Sequence, residues 1–310
     1  MNKIRVIKAG LISTIQDGGR SDFQKIGMPV GGAMDIVALK MANYLAGNNP
    51  LEAAIEMTMT GCCIEFYSDS FIGIVGAMPE LTLNSMPIEP YRTIQIKAGD
   101  VLDILKINQG ARTYLSIAGG FDLPDIMGSK STYLYGKLGG FNGRVLKDGD
   151  IILINQSKPN LKLRRIKVKH IPQLPTEPVL RILPGPEKER FTWNGLANFL
   201  TKPYSLSPHC DRMGFRLDGP AIEHLNNDAD IISSPIAFGT IQVPSHGSPI
   251  IMMADRQTTG GYTRIANVIT ADYPILAQLK PGDKIRFKEV SYKTAIKALK
   301  AQEKIMKKYS

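Results

Sequence analysis

From residue 52 to residue 120 the chain alternates apolar and polar positions in short blocks. AAIEMTMT, CIEFYS, FIGIVG, ELTLN, YRTIQIKAG, VLDILKI and ARTYLSIAGG are separated by turn residues every eight to twelve positions. That rhythm predicts short strands of a barrel or sandwich. The opening IRVIKAGLISTIQDGGR reads as two more strands around Gly10, ending in a turn at Asp17, Gly18 and Gly19 from which Gln16, Asp17 and Arg20 project. Helical spacing is rarer. Ile36, Leu39, Ala42 with Asn43, and Ala46 repeat with a period near 3.6 behind Asp35, a suitable N-cap, and Gly47-Asn48 is a stop. A second helix is expected over Glu187 to Leu200, around the single tryptophan, Trp193. A third is expected at the C-terminus, with Tyr292, Ile296, Leu299 and Met306 on one face.

The stretch from Phe238 to Tyr262 has the sharpest change of character. A strand (Gly239 to Val243), a Pro/Gly turn (Pro244 to Pro249) and an apolar strand (Ile250 to Ala254) precede Asp255, Arg256, Gln257, Thr258 and Thr259, closed by Gly260, Gly261 and Tyr262. An apolar run of five predicts a strand buried on both faces, so the polar cluster is a loop at the end of rigid structure and a candidate binder of a small polar molecule. The same residues suit a hairpin whose Gly-Gly supplies positive φ, with Asp255 and Arg256 pairing at its rim. Asp211, Arg212 and Arg216 form another polar group in PHCDRMGFRLDGP.

At 310 residues two domains are expected. The polar, basic, proline-bearing segment 157–178 suggests their boundary: a β-barrel subdomain over 1–160, a linker over 161–178, a second β-barrel subdomain over 179–290 and a helix over 291–310. A turn with glycine followed by aspartate recurs at Gly99-Asp100, Gly149-Asp150 and Gly282-Asp283. Residues 119–144 form a long glycine-punctuated excursion of the kind that is functional or mobile. Its GSKST carries Ser129 where GxxxxGK[ST] requires glycine, so no phosphate-binding P-loop is expected.

The formal charge is +10, yet residues 158–170 carry +6 and residues 280–310 carry +7, leaving −3 elsewhere. Charge so confined argues against a nucleic-acid face. No apolar run approaches the roughly 20 residues of a membrane span, and the N-terminus lacks a signal h-region, so a cytoplasmic protein with no membrane partner is expected. Three cysteines, two of them adjacent, imply no disulfide framework. GxSxG, HExxH and GxGxxG are all absent, and four scattered histidines suggest no metal site. Residue chemistry alone leaves the substrate open.

GLISTIQDGGR, GMPVGGAMD, ANYLAGN, IEMTMTG, AGGF, GSKSTY, LPGPE, DRMGFRL, GTIQVPSHGSPIIMMADRQTTGGY and AQLKPGD occur in this order. Together, over residues 4 to 290, they resemble the family of the 5-oxoprolinase C component and the KipI antagonist KipA, related to the carboxyltransferase region of urea carboxylase. The resemblance implies paired cyclophilin-like β-barrel subdomains. It implies as partners the KipI-like B component and the A component of 5-oxoprolinase, and ATP with Mg at the level of the complex, for hydrolysis of 5-oxo-L-proline to L-glutamate. Such chemistry needs cations or N–H donors at developing negative charge. Within this reading Arg212, Arg216, Arg256 and the amides of Gly260 and Gly261 are candidates for that task. Asp255 or Asp17 is a candidate base, and Gln16, Gln242, Gln257 and Thr258 are candidates to hold the ring amide and carboxylate. Arg20 and Tyr262 complete the candidate substrate-binding set. The bland alternatives are that Asp17 bonds its own turn and Arg216 braces a sheet edge. Two other functions fit the resemblance. One is a component of a biotin-dependent carboxyltransferase, although the chain has no Met-Lys-Met biotin attachment site of its own. The other is a non-enzymatic regulator that binds a KipI-like inhibitor.

Overall fold

The structure is a computed structural model and describes residues 2–156 and 161–309. It is mainly β, with two sheets and few helices, in two compact units: Met1–Arg20 with Gly31–Pro172 and Ile305–Ser310, and Ser21–Val30 with Gln173–Lys304. Residues 157–160, the start of the basic segment read as a boundary, lie outside the described residues.

The first unit holds β1 (Lys3–Lys8), β2 (Ile12–Gln16), α1 (Ile36–Ala46), β3 (Ala54–Thr58), β4 (Cys63–Phe66), β5 (Ser70–Leu83), β6 (Met86–Pro87), β7 (Thr93–Ile96), β8 (Val101–Ile117) and β9 (Ile151–Leu153). The sheet runs β2-β3-β8-β4-β1-β9, and β5 pairs along β8 while carrying β6 and β7. Period-two alternation divides it into two faces. Ile55, Ile74 and Leu115 join Ile4, Val6, Ile64 and Phe66 in one core, whereas Ala54, Val75 and Tyr114 turn to the other face and meet Leu39, Met41 and Leu45 of α1. The start of that helix is fixed by a buried polar network. The Asp35 carboxylate accepts from Ala38 N (3.0 Å), Tyr114 Oη accepts from Asp35 N (2.8 Å), and Glu56 Oε2 accepts from Tyr114 Oη (2.6 Å) and Met34 N (2.9 Å). Burial pushes the Tyr114 hydroxyl well above its ordinary range, with Glu56 adding to the effect, so it remains a donor.

The repeated glycine-aspartate turns share one design, Lys-x-Gly-Asp. In each, the aspartate N–H donates to the lysine carbonyl at 3.0–3.1 Å, and its carboxylate accepts the lysine N–H at 2.7–3.0 Å. Their glycines sit at φ +87 to +92, which a side chain would strain.

Residues 161–172 belong to the first unit instead of forming a linker. Ile166 is buried and its N–H donates to Tyr91 O, and Thr93 N–H donates to Arg164 O (both 2.9 Å). An apolar residue within the basic run folds it back onto the sheet.

The second unit holds β10 (Val179–Pro184), α2 (Trp193–Thr201), β11 (Tyr204–Leu206), β12 (Gly214–Asp218), β13 (Asp230–Pro235), β14 (Thr240–Val243), β15 (Ile250–Met252), β16 (Thr259–Val268), α3 (Tyr273–Ala277) and β17 (Lys284–Glu289), followed by α4 (Tyr292–Met306). The order β10-β17-β11-β12-β15-β14-β16, with β10 also paired to β16, closes seven strands into a ring, and β13 attaches outside it on β16. Leu180, Phe215, Leu217, Ile241, Val243, Ile251, Ile265 and Ile285 are buried along these strands. Helix α2 starts at Trp193, later than the spacing suggests, because Thr192 caps it (Oγ1 accepting from Gly195 N, 3.0 Å) while Lys188–Arg190 form a separate 3-10 turn. Phe199 of α2 stacks on Phe287 with ring centroids 4.6 Å apart. Tyr292, expected on the packed face of the last helix, is 70% exposed, and Ala295 is buried there.

Helix α1 approaches β5 closely at Gly73, where a Cβ would lie 2.3 Å from Ala42 O and 2.6 Å from Leu45 Cβ. Gly73→Ala should cost about 1–3 kcal/mol through overpacking. Denaturant unfolding checks this, and an unchanged midpoint would refute the close-contact reading.

Candidate functional site

Four strands of the closed ring and the segments beside them surround a cavity of about 310 Å³ in the second unit. Strand β12 contributes Gly214 and Arg216, β14 contributes Gln242, and β15 contributes Ile250 and Met252. The turn after β14 adds Pro244, Ser245 and His246; Gln257, Tyr262, Asp211 and Met213 complete the wall.

Local sequence explains how these side chains are aimed. Asp211 Oδ1 accepts from Met213 N (2.8 Å) and Gly214 N (3.0 Å), a tight turn that leads into β12. Along β12, Phe215 and Leu217 are buried and Arg216 between them is exposed on the cavity wall. Among the described residues its guanidinium makes no side-chain hydrogen bond or ion pair; it neither braces a sheet edge nor pairs with Asp211. Gln242 is buried on the same wall, donating Nε2 to Tyr262 O (3.2 Å), and its amide oxygen accepts no hydrogen bond from the described residues. Gly260 makes room for it, since a Cβ there would stand 2.7 Å from Gln242 Nε2. The side chains of Gln257 and Tyr262 reach the cavity exposed and unbonded among the described residues.

The rest of the polar loop turns inward. Asp255 is 4% exposed and forms a two-pronged ion pair with Arg212 (Nε to Oδ2 2.9 Å, Nη2 to Oδ1 3.0 Å), while Asp255 N–H donates to Arg212 O (2.8 Å). Arg256 is 9% exposed and donates Nε to Ile236 O (3.0 Å) and Nη1 to Met253 O (3.2 Å). Burial lowers the Arg256 pKa from the ordinary guanidinium range, opposed by Tyr273. Neither Asp255 nor Arg256 lines the cavity, and Asp255 pairs with Arg212, not with Arg256. Gly260 and Gly261 lie in β16 without positive φ, so no Gly-Gly hairpin forms. Thr258 contributes its carbonyl to Ile236 N (3.1 Å).

Gln16, Asp17 and Arg20 belong to the first unit and organise the 126–132 segment. Asp17 Oδ1 accepts from Gly19 N (2.8 Å), Ser129 Oγ (2.6 Å) and Ser131 Oγ, and Oδ2 accepts from Lys130 N (2.6 Å). Its acceptor positions are occupied within the fold, well beyond its own turn. Arg20 is fully buried and donates to Ile126 O (3.1 Å) and Ser131 O (2.5 Å). Gln16 Nε2 donates to Thr132 O (3.1 Å). GSKST is thus wrapped around a carboxylate, an arrangement that leaves no phosphate cradle.

Met213, Ser245, His246 and Met252 line the cavity with no signal in the sequence that marks them as site residues, and Asp211 joins them from the polar group before β12. The Pro244–Gly247 turn is visible in the sequence, but the side it faces depends on the order of β12, β15 and β14, which no local pattern encodes.

An unpaired guanidinium beside an unused amide oxygen and two further polar groups suits a small ligand carrying both a carboxylate and an N–H. A family model for the carboxyltransferase domain, subdomains A and B, matches residues 26–289. The chain belongs to that family. Within the carboxyltransferase-domain family it is 38% identical over 301 residues to the C component of 5-oxoprolinase from Escherichia coli K12, covering 97% of this chain and 96% of the relative. The protein of the same name from Haemophilus influenzae is 38% identical over 291 residues, covering 94% and 92%. The crystal structure of Kluyveromyces lactis urea carboxylase superposes with a TM-score of 0.92 at 30% identity; it covers 99% of this chain, which spans only 29% of that protein.

Removing one partner of a buried ion pair leaves the other charge uncompensated. Asp255→Ala should therefore destabilise the protein by about 3 kcal/mol, and Arg212→Met combined with Asp255→Leu should cost clearly less than the two single changes added. Thermal or denaturant unfolding of these variants beside wild type reads the coupling; additive losses would show that the pair does not hold the loop.

Proposed function

We propose that this chain is the C component of a bacterial ATP-dependent 5-oxoprolinase, with the cavity in the second unit as its share of the substrate site. The supporting observation is correspondence along nearly the whole length, in both directions, with two proteins named as that component of 5-oxoprolinase. The urea carboxylase likeness occupies a minor part of a much longer chain.

In this reading Arg216 holds the carboxylate of 5-oxo-L-proline. The free oxygen of Gln242 accepts the lactam N–H, and Gln257 and Tyr262 offer donors to the ring carbonyl. A five-membered lactam is resonance-stabilised and opens slowly in water. Phosphate from ATP, supplied at the level of the complex with a KipI-like B component and an A component, makes the carbonyl carbon more electrophilic and its oxygen a better leaving group. Water then adds to the O-phosphorylated carbon, and the C–N bond breaks with the nitrogen taking up a proton. A second water hydrolyses the resulting acyl phosphate, so that glutamate, inorganic phosphate and ADP leave. Arg212, Asp255 and Arg256 act through the wall they support, and Gln16, Asp17 and Arg20 hold the 126–132 segment of the first unit. A second reading, carboxyl transfer to an amide nitrogen from a separate biotin carrier, is favoured by the family model and by the urea carboxylase structure. There Arg216 would meet the carboxyl group being transferred, so what favours the first reading is the end-to-end correspondence with the 5-oxoprolinase C components.

Reconstitution of the three components should give ATP-dependent glutamate release from 5-oxo-L-proline, and omitting this chain should stop it. Arg216→Ala should lower kcat/KM for 5-oxo-L-proline about 100-fold, the loss expected when a charged hydrogen bond disappears, with unfolding midpoint and assembly of the complex unchanged. Wild-type kinetics in that variant would remove Arg216 from the site.

A further inference from the structure

The polar groups of the cavity account for a carboxylate and an amide, yet part of its strand-borne floor is apolar. Strand register shows how that floor is laid out. Arg216 pairs with Ile250 across β12 and β15, and Ile250 pairs with Gln242 across β15 and β14. Residues directly opposite on neighbouring strands point to the same face. Arg216, Ile250 and Gln242 therefore form one row with the isoleucine in the middle. Two residues along the strands, on the same face, Gly214 pairs with Met252. All five line the cavity. Gly214 has no positive φ that would require glycine, and glycine weakens a strand. Its bare Cα provides room instead: a Cβ would stand 3.0 Å from Ile250 Cγ2 and 3.9 Å from Met252 Sδ. Met252 is buried, whereas Ile250 is only half-buried and keeps apolar surface in the cavity.

We propose that Ile250, with Gly214 and Met252 beside it, is the ring-recognising floor of this cavity and selects the hydrocarbon edge of a five-membered lactam. The inference rests on the 5-oxoprolinase reading of the site and adds to it which residues choose the ring. In 5-oxo-L-proline the carboxylate and the N–H sit on neighbouring ring atoms, and the C3 and C4 methylenes form the edge away from them. With the carboxylate on Arg216 and the N–H on Gln242, the two ends of the row, the ring lies over Ile250. Its methylenes then come down on the isoleucine and on the opening above Gly214. Each methylene taken from water onto an apolar surface is worth a factor of about four in affinity. Urea has no methylene to place there, so an apolar floor between Arg216 and Gln242 suits a lactam and gives nothing to a hydrocarbon-free amide.

The test is equilibrium binding, without ATP, to the assembled complex carrying wild-type chain, Ile250→Ala or Gly214→Ala. The probes are 5-oxo-L-proline and the cyclic carbamate of the same ring size in which an oxygen replaces the C4 methylene. Wild type should prefer 5-oxo-L-proline, and Ile250→Ala should narrow that preference about fourfold, the worth of one buried methylene. Gly214→Ala, which fills the floor, should weaken both ligands about tenfold. Unfolding midpoints accompany each variant, and a merely structural loss in Ile250→Ala would lower both affinities together and leave their ratio as in wild type. An unchanged ratio in Ile250→Ala, or wild-type affinities in Gly214→Ala, overturns the floor; if the wild-type complex still releases glutamate from 5-oxo-L-proline with ATP, the 5-oxoprolinase reading stands. If the wild-type complex neither binds nor hydrolyses 5-oxo-L-proline, both are overturned.

Discussion

The cavity of the second unit depends on one buried ion pair. Arg212 precedes β12 and Asp255 follows β15, adjacent antiparallel strands joined in register from Gly214↔Met252 to Arg216↔Ile250. Their side chains meet in two hydrogen bonds, and a backbone bond between the same residues doubles the link. Taking both charges out of water costs several kcal/mol, so the pair contributes geometry more than net stability. With it in place, the Asp211 turn and the loop leading to Gln257 have fixed positions, and Arg216 and Gln257 are presented from rigid supports.

Polar groups in this protein fall into two kinds, and the difference separates scaffold from candidate chemistry. Asp17, Arg20, Asp35, Glu56 and Asp255 are buried and bonded to backbone or to other side chains, which fixes the segments around them. Arg216, Gln257, His246 and the amide oxygen of Gln242 have hydrogen-bonding capacity that the described residues leave unused, and all line one cavity. Gln16 Oε1 and the Ser70 and Ser234 hydroxyls also lack partners among the described residues but do not line this cavity; what distinguishes the cavity is that several unused groups converge on one space.

Much of the architecture is legible in local pattern. The Asp35 cap and the three glycine-aspartate turns each rest on a physical preference acting over a few residues and are where the sequence places them. The strand rhythm of residues 52–120 is kept only in part, FIGIVG and ELTLN forming one strand (Ser70–Leu83) and VLDILKI and ARTYLSI another (Val101–Ile117). Site roles are less legible. Asp255, Arg256, Gln257 and Tyr262 share one polar loop, and whether each side chain points inward or into the cavity is decided by the packing of β12, β15 and Ile236 around them. A histidine in a turn, such as His246, carries no signal until the opposite wall is known. The basic segment around Ile166 reads as a linker by composition, yet the buried Ile166, two backbone hydrogen bonds and the Arg164 and Arg165 side chains, bonded to Tyr44 O and Glu89, hold it to the first unit.

The central claim is that the space bounded by Arg216, Gln242, Gln257 and Tyr262 receives the substrate. Its most direct test is a crystal structure of this chain with the other two components of the complex and 5-oxo-L-proline. The account predicts the ligand carboxylate about 2.7–2.9 Å from the Arg216 guanidinium, with its ring nitrogen on Gln242 Oε1. Ligand bound with this cavity empty, or Arg216 turned away from it, would contradict the account.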